Sequence, residues 1–377
     1  MKALLLLACV GSLLHAEDEI AWNWKNRKAQ ETQQPIISCE TEQPQDQSIQ
    51  SQACTQKGVC SYPLRGSTFD PNAMSVSNQL WLDGEALLWQ SSESSLDYAI
   101  ESDSTSTIKH GRVKNPDFSW DWGFRLGLGY KMPHDKWDVF VNYTYVHAHA
   151  ERHHTNPDHV VFPLWGTSFG NTAPIIYADT AEARWHANLN MADLELGRNC
   201  NVSKWLAIRP FMGVRGLVIN QNYQVNYKGG TFAPGDDDQN HLHNDFWGVG
   251  IRMGADTLWG LGCGFGIYGD GSASLLSGHF DVHERERLEH AGLTKMSVSR
   301  NFDNIVVAAD IAMGLQWDLM FNDDRCHFGV KFGWEFDMFF DQNQLFNFLS
   351  STLPGSVNFK NDDLSFQGLT MGLRLDF

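Results

Sequence analysis

The stretch IVVAADIAMGLQWDL, residues 305–319, decides the fold because its side chains alternate in character. Every second residue of this stretch is apolar, from Ile305 to Leu319. Asp310 and Gln316 lie on the opposite face. Period-two alternation is the signature of a β-strand with two different faces. A long strand with one continuous apolar face is typical of a transmembrane β-barrel, whose strands face lipid on one side and the lumen on the other.

The same alternation recurs along most of the chain. It is clear in WDWGFRLGLGY, residues 120–130, and in FGVKFGWEFDM, residues 328–338. Beyond the N-terminus, no segment reaches the roughly 18 apolar residues that a membrane-spanning helix needs. The pattern predicts an all-β, antiparallel transmembrane barrel of about ten strands, with about twelve as the alternative. The predicted strands are 78–90, 119–131, 136–148, 184–198, 204–228, 244–258, 262–284, 304–319, 326–340 and 363–377.

The alternation changes phase at two places within these strands, near Met191 and near Leu275. A phase change of this kind indicates either a β-bulge or a break between two shorter strands. Breaks would favour the larger strand number.

The N-terminus has the features of a secretory signal peptide at residues 1–16. A positive start and an apolar run lead to Ala16, where a signal peptidase could cut. Lipoprotein cleavage before Cys9 is a minor alternative, because it would leave an unusually short apolar region. Residues 17–76 are polar and lack a sustained apolar period. This composition predicts a loosely structured N-terminal segment, followed by the barrel at 77–377.

The charge balance restricts the partners of the protein. The chain has 28 Lys and Arg residues against 45 Asp and Glu residues, a formal charge of −17, and loss of Lys2 with the signal peptide makes it −18. We expect no nucleic-acid partner, because a nucleic-acid surface needs an extended basic patch and the sequence has no cluster of Lys and Arg residues. The expected partners are outer-membrane lipid and lipopolysaccharide, and the barrel-assembly machinery. Other envelope proteins joined through disulfides, and further copies of this chain, are additional candidates.

The connections between the predicted strands alternate in length. The long ones are 91–118, 149–183, 229–243, 285–303 and 341–362, and the short ones are 132–135, 199–203, 259–261 and 320–325. Outer-membrane barrels have long extracellular loops and short periplasmic turns. The alternation therefore predicts a bacterial outer-membrane protein with both termini in the periplasm and the long loops at the cell surface.

The last predicted strand carries an apolar row that ends on the final residue. The row consists of Leu369, Met371, Leu373, Leu375 and Phe377. A phenylalanine that ends such a row resembles the C-terminal signal read by the barrel-assembly machinery. We expect this row to act as the assembly signal.

The cysteines have an unexpected distribution. Those that remain after Cys9 is removed are Cys39, Cys54, Cys60, Cys200, Cys263 and Cys326. The first three lie in the N-terminal segment, and each of the others lies in or beside a different short turn. The predicted topology places all of them in the periplasm, where disulfides form. We expect disulfides that join the N-terminal segment to the barrel rim or crosslink neighbouring proteins. Free thiols at turns are the alternative, and the pairing stays open.

One hairpin carries a family resemblance. FRLGLGY at 124–130, followed by PHDKWDV at 133–139 and YTY at 143–145, resembles the major outer membrane protein-like family of Legionella and the environmental chlamydiae. The resemblance extends over most of residues 78–377 as strand order and does not place residues 17–75. Membership implies porin-like activity and a cysteine-crosslinked envelope.

Charged residues that alternate with the apolar face would line the lumen. The pore-lining candidates are Asp121, Arg125, Arg209, Arg215, Arg252, Asp256, Asp270, Asp310, Lys331, Glu335, Asp337 and Arg374. Rings of such groups select ions or solutes by charge. Alternatively, they pair with one another and fill a narrow lumen, because barrels of about eight strands are packed with side chains whereas those of about sixteen hold a channel.

Two functions follow from these alternatives. The first is a porin-like channel for passive diffusion of ions or small solutes, with a disulfide-reinforced structural role in the envelope. The second is a closed structural or adhesive surface barrel without general pore activity. A lumen wide enough for water favours the first function, and a packed lumen favours the second.

The remaining motifs carry no chemistry of their own. His147, His149, His153 and His154 could bind a transition metal, but a structural zinc site has tighter spacing and cysteine partners, so an ordinary polar loop is favoured. GTSFG at 166–170 matches a nucleophile elbow, yet no helical pattern follows it. We therefore expect no metal, no cofactor and no enzymatic activity.

Overall fold

The structure is a computed structural model that describes residues 80–103, 110–133, 137–155, 160–166, 177–231, 233–321, 326–348 and 357–377. Within these residues the chain forms ten long strands: β1 (Leu80–Glu93), β2 (Trp120–Lys131), β3 (Trp137–Thr155), β4 (Thr180–Arg198), β5 (Leu206–Gly229), β6 (Ala233–Gly262), β7 (Phe265–Leu288), β8 (Leu293–Phe321), β9 (Cys326–Asn343) and β10 (Asp362–Asp376). No helix among the described residues is long and apolar enough to cross a membrane. The predicted signal peptide and N-terminal segment, residues 1–76, lie outside the described residues.

The ten strands form one antiparallel ring. Each strand pairs with its two neighbours in chain order, and β10 pairs with β1 from Leu364 opposite Glu93 to Asp376 opposite Trp81. At the seam, the N–H of Phe377 donates to the carbonyl of Leu80 at 3.0 Å. The predicted transmembrane β-barrel is confirmed, and its strand number is the ten of the first alternative.

Short strands occupy the connections. Ala99–Ser102 pairs with both Gly111–Lys114 and Val160–Pro163, which makes a separate three-stranded sheet. Phe346–Phe348 pairs with Val357–Phe359. Two further pieces extend the barrel wall, namely Asp117–Phe118 beside β3 and Cys200–Asn201 beside β5.

The outer wall carries a continuous apolar belt. On β8, Ile305, Ile311 and Met313 are each more than 60% exposed. The same face of the other strands exposes aromatic side chains, among them Trp122 and Trp259. Aqueous proteins rarely expose such area, whereas lipid-facing strands require it.

Beyond the belt, on the side of the β5–β6 and β7–β8 turns, two predictions of long loops are wrong because the structure has strands there. Residues 229–243 and 285–303 continue the strands, so that only residues 230–232 separate β5 from β6 and only residues 289–292 separate β7 from β8. The side-chain alternation reverses there, because polar groups such as His241 face outward and apolar groups such as Leu242 face inward. The outward-facing side chains there are no longer apolar, so the pattern of a lipid-facing strand is absent although the strands continue.

The phase changes near Met191 and Leu275 correspond neither to bulges nor to breaks in the described strands. The pairing register runs without interruption through both residues. Leu275 faces outward while its neighbour Leu276 is buried inside the barrel. The apparent phase change arises because both faces of the wall are apolar at this level.

Candidate functional site

The lumen holds a cavity of about 590 Å³. It extends to the middle of the barrel from one end, which we call the short-turn end, where the chain passes from β2 to β3, from β4 to β5, from β6 to β7 and from β8 to β9. Eleven of the predicted lumen charges line it: Arg125, Arg209, Arg215, Arg252, Asp256, Asp270, Asp310, Lys331, Glu335, Asp337 and Arg374. Asp121 lies elsewhere, where its carboxylate accepts a hydrogen bond from the N–H of His149 at 2.8 Å. Period-two alternation therefore placed most of the charges on the inner face.

Arg125 forms a brace across the lumen. Its guanidinium, on β2, contacts Glu85 of β1 at 2.8 Å and Glu335 of β9 at 2.8 Å. The same arginine donates to the hydroxyl of Thr144 at 2.9 Å, and Lys331 makes a second ion pair with Glu85. Because β2 and β9 are not neighbours in the ring, this brace crosses the interior.

A second brace lies at mid-height. Arg215 on β5 binds Asp193 of β4 through two nitrogen atoms, at 2.7 and 2.9 Å, and Asp310 of β8 at 2.7 Å. Arg252 on β6 contacts Asp193 at 2.7 Å and also pairs with Glu195. The Arg215 side chain is 1% exposed. Buried charges of this kind are tolerated only when they are paired and hydrogen-bonded.

The short-turn end has a third cluster. The imidazole of His327 lies between two carboxylates, with Nδ1 at 2.6 Å from Asp376 and Nε2 at 2.9 Å from Asp318. Arg374 also contacts Asp376, at 3.0 Å. Arg209 contacts Asp256 at 2.8 Å and also pairs with two further carboxylates.

Sequence reasoning missed several carboxylates of the cavity lining: Asp83, Glu85, Asp138, Asp193 and Glu195. Their alternation with apolar neighbours, as in Leu194 and Leu196, was the signal that could have identified them. With these groups included, the lining has ten carboxyl groups against seven Lys and Arg side chains, an excess of three acidic side chains. Asp337 has no hydrogen-bond partner for either carboxylate oxygen among the described residues.

The lumen above the cavity is filled by an apolar plug. The plug consists of Leu96, Tyr98, Ala99, Trp165, Leu345 and Phe346, all of which lie in connections between strands and are buried. They pack against inward-facing side chains of the wall, including Tyr223, whose ring centroid lies 5.7 Å from that of Trp165. Each of these six plug side chains is at most 3% exposed, so together they form a dry layer in the part of the lumen that the structure describes.

Hydrogen bonds fix the plug to the wall. The hydroxyl of Tyr223 donates to the carbonyl of Leu96 at 2.7 Å. The hydroxyl of Tyr227 binds the carbonyl of Tyr98 and accepts the N–H of Trp165 at 3.3 Å. The plug is therefore held by polar contacts as well as by apolar burial.

Beyond the belt, the hairpins β5–β6 and β7–β8 enclose buried carboxylates. Lys295 pairs with Asp238 and, at 3.0 Å, with Glu286. The neighbouring Glu284 is buried, and neither of its carboxylate oxygens has a hydrogen-bond partner among the described residues. Burial raises the pKa of Glu284 to about 8, and the charge of Glu286 adds to this rise.

The predicted histidines and cysteines do not converge on a site. His147, His149 and His153 lie on the outer face of β3, whereas His154 contacts Glu101 at 3.1 Å. In the described parts of the chain, no group of three or more His, Cys, Asp or Glu side chains could hold a metal ion.

The cysteines that the structure describes all lie at the short-turn end. Cys200 begins a two-residue strand after β4, Cys263 lies between β6 and β7, and Cys326 begins β9. No disulfide joins any two of these three residues. Cys39, Cys54 and Cys60 lie outside the described residues.

Comparison with known proteins identifies one family. The model of the family described as Legionella pneumophila major outer membrane protein precursor matches residues 75–377. No curated protein matches the chain.

Among solved structures, the chain is similar to the outer membrane protease OmpT from Escherichia coli, with 10% identity, coverage of 79% of this chain and 97% of that one, and a TM-score of 0.41. The attachment invasion locus protein Ail of Yersinia pestis shares 8% identity, with coverage of 79% and 99% and a TM-score of 0.22. A Pseudomonas aeruginosa FadL homologue shares 10% identity, with coverage of 83% and 95% and a TM-score of 0.24. These values describe a likeness in fold alone.

Arg215→Met should destabilise the barrel strongly. The substitution leaves Asp193 and Asp310 buried without their principal cation, and we expect a loss of about 3–5 kcal/mol in the free energy of unfolding. Urea titration of the protein in lipid vesicles measures this loss. Arg184→Met is the control, because that arginine pairs with Glu151 on the exposed wall and should contribute less than about 1 kcal/mol. Equal losses of unfolding free energy in the two variants would show that the buried ion pairs of Arg215 do not stabilise the barrel.

Glu284→Gln should reduce the dependence of stability on pH. Between the ordinary pKa of 4.5 and the folded value of about 8, the folded protein keeps a proton that the unfolded chain releases. The free energy of unfolding therefore falls as pH rises through this window. The glutamine variant should lose less stability across the window than the wild type. Glu289→Gln, at an exposed carboxyl in the neighbouring turn, is the control, and identical pH profiles for wild type and Glu284→Gln would contradict the assignment.

Proposed function

The chain belongs to the Legionella major outer membrane protein family, and on that premise we propose that it is a structural outer-membrane barrel whose lumen is sealed at rest. The family and the closed ring of ten strands together make it a bacterial outer-membrane protein. The observation that carries the proposal is the apolar plug, which fills the lumen above the charged cavity. The ion pairs of the lumen support it, because Arg125 and Arg215 each tie together strands that are three positions apart in the ring of ten.

A passive channel for ions or small solutes is the second candidate. The 590 Å³ cavity favours it, because displacement of the plug would connect this space to the long-loop end. The excess of three acidic side chains in the cavity lining would then favour cations over anions. Under this alternative the plug is a gate, and passage depends on its movement.

We also propose that the short turns and both termini face the periplasm, and that the long connections lie at the cell surface. The three long connections, residues 94–119, 156–179 and 344–361, all lie at one end of the barrel, whereas every connection at the other end is short, and this supports the orientation. Cys200, Cys263 and Cys326 would then meet an oxidising compartment. Crosslinks from these residues, to the N-terminal segment or to neighbouring proteins, would strengthen the envelope.

Single-channel recording tests the sealed lumen. In a planar bilayer, the wild-type barrel should show no stepwise conductance, whereas Trp165→Ala/Tyr223→Ala should open intermittently and prefer cations. Trp247→Ala removes a tryptophan of the same size from the exposed wall, and this control should stay silent. Regular conductance steps from the wild type would overturn the proposal and make the passive channel the leading function.

Thiol labelling tests the orientation and the crosslinks together. A membrane-impermeant maleimide should leave the wild-type protein unlabelled on intact cells. Opened envelopes should become labelled only after treatment with a reductant. Glu289→Cys, in the turn after β7, should react on intact cells and serves as the positive control. Labelling of the wild type on intact cells would contradict the orientation, and labelling of opened envelopes without reductant would contradict the crosslinks.

A further inference from the structure

The outer wall of β6 and β7 carries a cluster of basic side chains beyond the apolar belt. We name it the β6–β7 basic patch, and it consists of His241, His243, His283, Arg285 and Arg287. Within the pairing register, His241 lies opposite Arg285, and His243 lies opposite His283. The rings of His243 and His283 are stacked with their centroids 6.3 Å apart. The patch is thus one surface shared by two strands.

The two arginines of the patch have no carboxylate partner among the described residues. On β8, the residue opposite Arg285 is Ser297, and the residue opposite Arg287 is Thr294. Burial lowers the pKa of His241, and the charges of His243, Arg285 and Arg287 add to this effect. The fixed positive charges of the patch are therefore those of Arg285 and Arg287. Among the carboxylates on this surface, Asp245 lies opposite Asp281 on the belt side of the patch, and Glu289 accepts a hydrogen bond from Gln239.

Two other cations on the outer wall at this end, Arg184 and Lys228, pair with neighbouring carboxylates. Arg184 of β4 contacts Glu151 at 3.0 Å and also Glu182 at 2.5 Å. Lys228 of β5 contacts Asp237 at 2.6 Å. An exposed arginine without such a partner keeps all five of its N–H donors for an external anion.

The height of the patch places it near the polar surface of the outer leaflet. Trp247 is the last exposed apolar residue of β6 on the way out of the belt, and His241 lies six residues further along the strand. At about 3.4 Å per residue this is roughly 20 Å along the strand. A strand tilt of about 40° reduces it to roughly 15 Å above the edge of the belt. Phosphorylated saccharide that extends from a glycolipid headgroup occupies this zone.

We propose that the β6–β7 basic patch binds the phosphorylated saccharide headgroup of an outer-leaflet lipopolysaccharide. The guanidinium groups of Arg285 and Arg287 match phosphate oxygens in charge and in geometry. Asn222 and Gln224 of β5 lie opposite His243 and His241 and supply amides for sugar hydroxyls. The assignment rests on the proposed orientation, which places this end of the barrel at the cell surface.

Binding of lipopolysaccharide to the purified full-length barrel in detergent tests the assignment. The probes are phosphorylated lipopolysaccharide and the same preparation after enzymatic removal of its phosphates. Arg285→Gln/Arg287→Gln should weaken binding of the phosphorylated probe by about tenfold or more, because two charge-assisted contacts are lost. Arg285→Lys/Arg287→Lys, which keeps the charges, should retain a large part of the affinity. Arg184→Gln is the matched control and should bind like the wild type.

Several outcomes would overturn the assignment. Equal affinity of the glutamine double variant and the wild type would exclude the patch. Equal affinity of the wild type for phosphorylated and dephosphorylated probes would exclude phosphate as the recognised group. Competition by inorganic phosphate alone at the probe concentration would identify a general anion site instead. Because the purified barrel is used, these results are independent of its orientation in the cell and of conductance, which the labelling and recording experiments measure.

Discussion

Closure of the backbone hydrogen-bond ladder is the constraint on which this structure depends. Hydrocarbon offers no partner for an exposed N–H or C=O group, so a sheet can cross the membrane only as a ring without edges. The pairing of β10 with β1 removes the last edge and joins Phe377 to Leu80. Every lipid-facing position must then be apolar, and every inner position must fit a lumen of fixed width.

A ring of ten strands leaves an interior only somewhat wider than one that side chains alone can fill. This protein fills it in two ways. At mid-height, arginines such as Arg215 reach across the ring to carboxylates of distant strands. Above that level the connections between strands fold inward and supply apolar side chains such as Trp165. The first solution ties strands up to three positions apart in the ring to one another, and the second buries apolar side chains away from water.

The outer face explains how much of the fold the sequence predicts. Lipid requires apolar side chains on the outer face of every strand, so alternation identified ten strands and placed most lumen charges on the inner face. The family resemblance drawn from one hairpin is also confirmed. The prediction failed beyond the belt, where solvent replaces lipid and outward residues such as His241 become polar. There the outer ends of β6, β7 and β8 were mistaken for loops, although Leu242 of β6 is buried on the inner face and continues the alternation.

The lumen itself could not be predicted from alternation, because pairing across the ring depends on register. The sequence places Arg215 and Asp310 on inner faces, yet only the successive pairings of β5 with β6, β6 with β7 and β7 with β8 bring the two residues within reach of each other. The sequence did not reveal the plug for a related reason. Leu275 faces outward and Leu276 faces inward, and both are apolar. The alternation is therefore lost at a level where both faces of the wall are apolar. Loss of alternation within a long barrel strand therefore indicates that apolar side chains fill the lumen at that level. Where the strand pattern fails, the sequence thus carries information about whether the lumen is open.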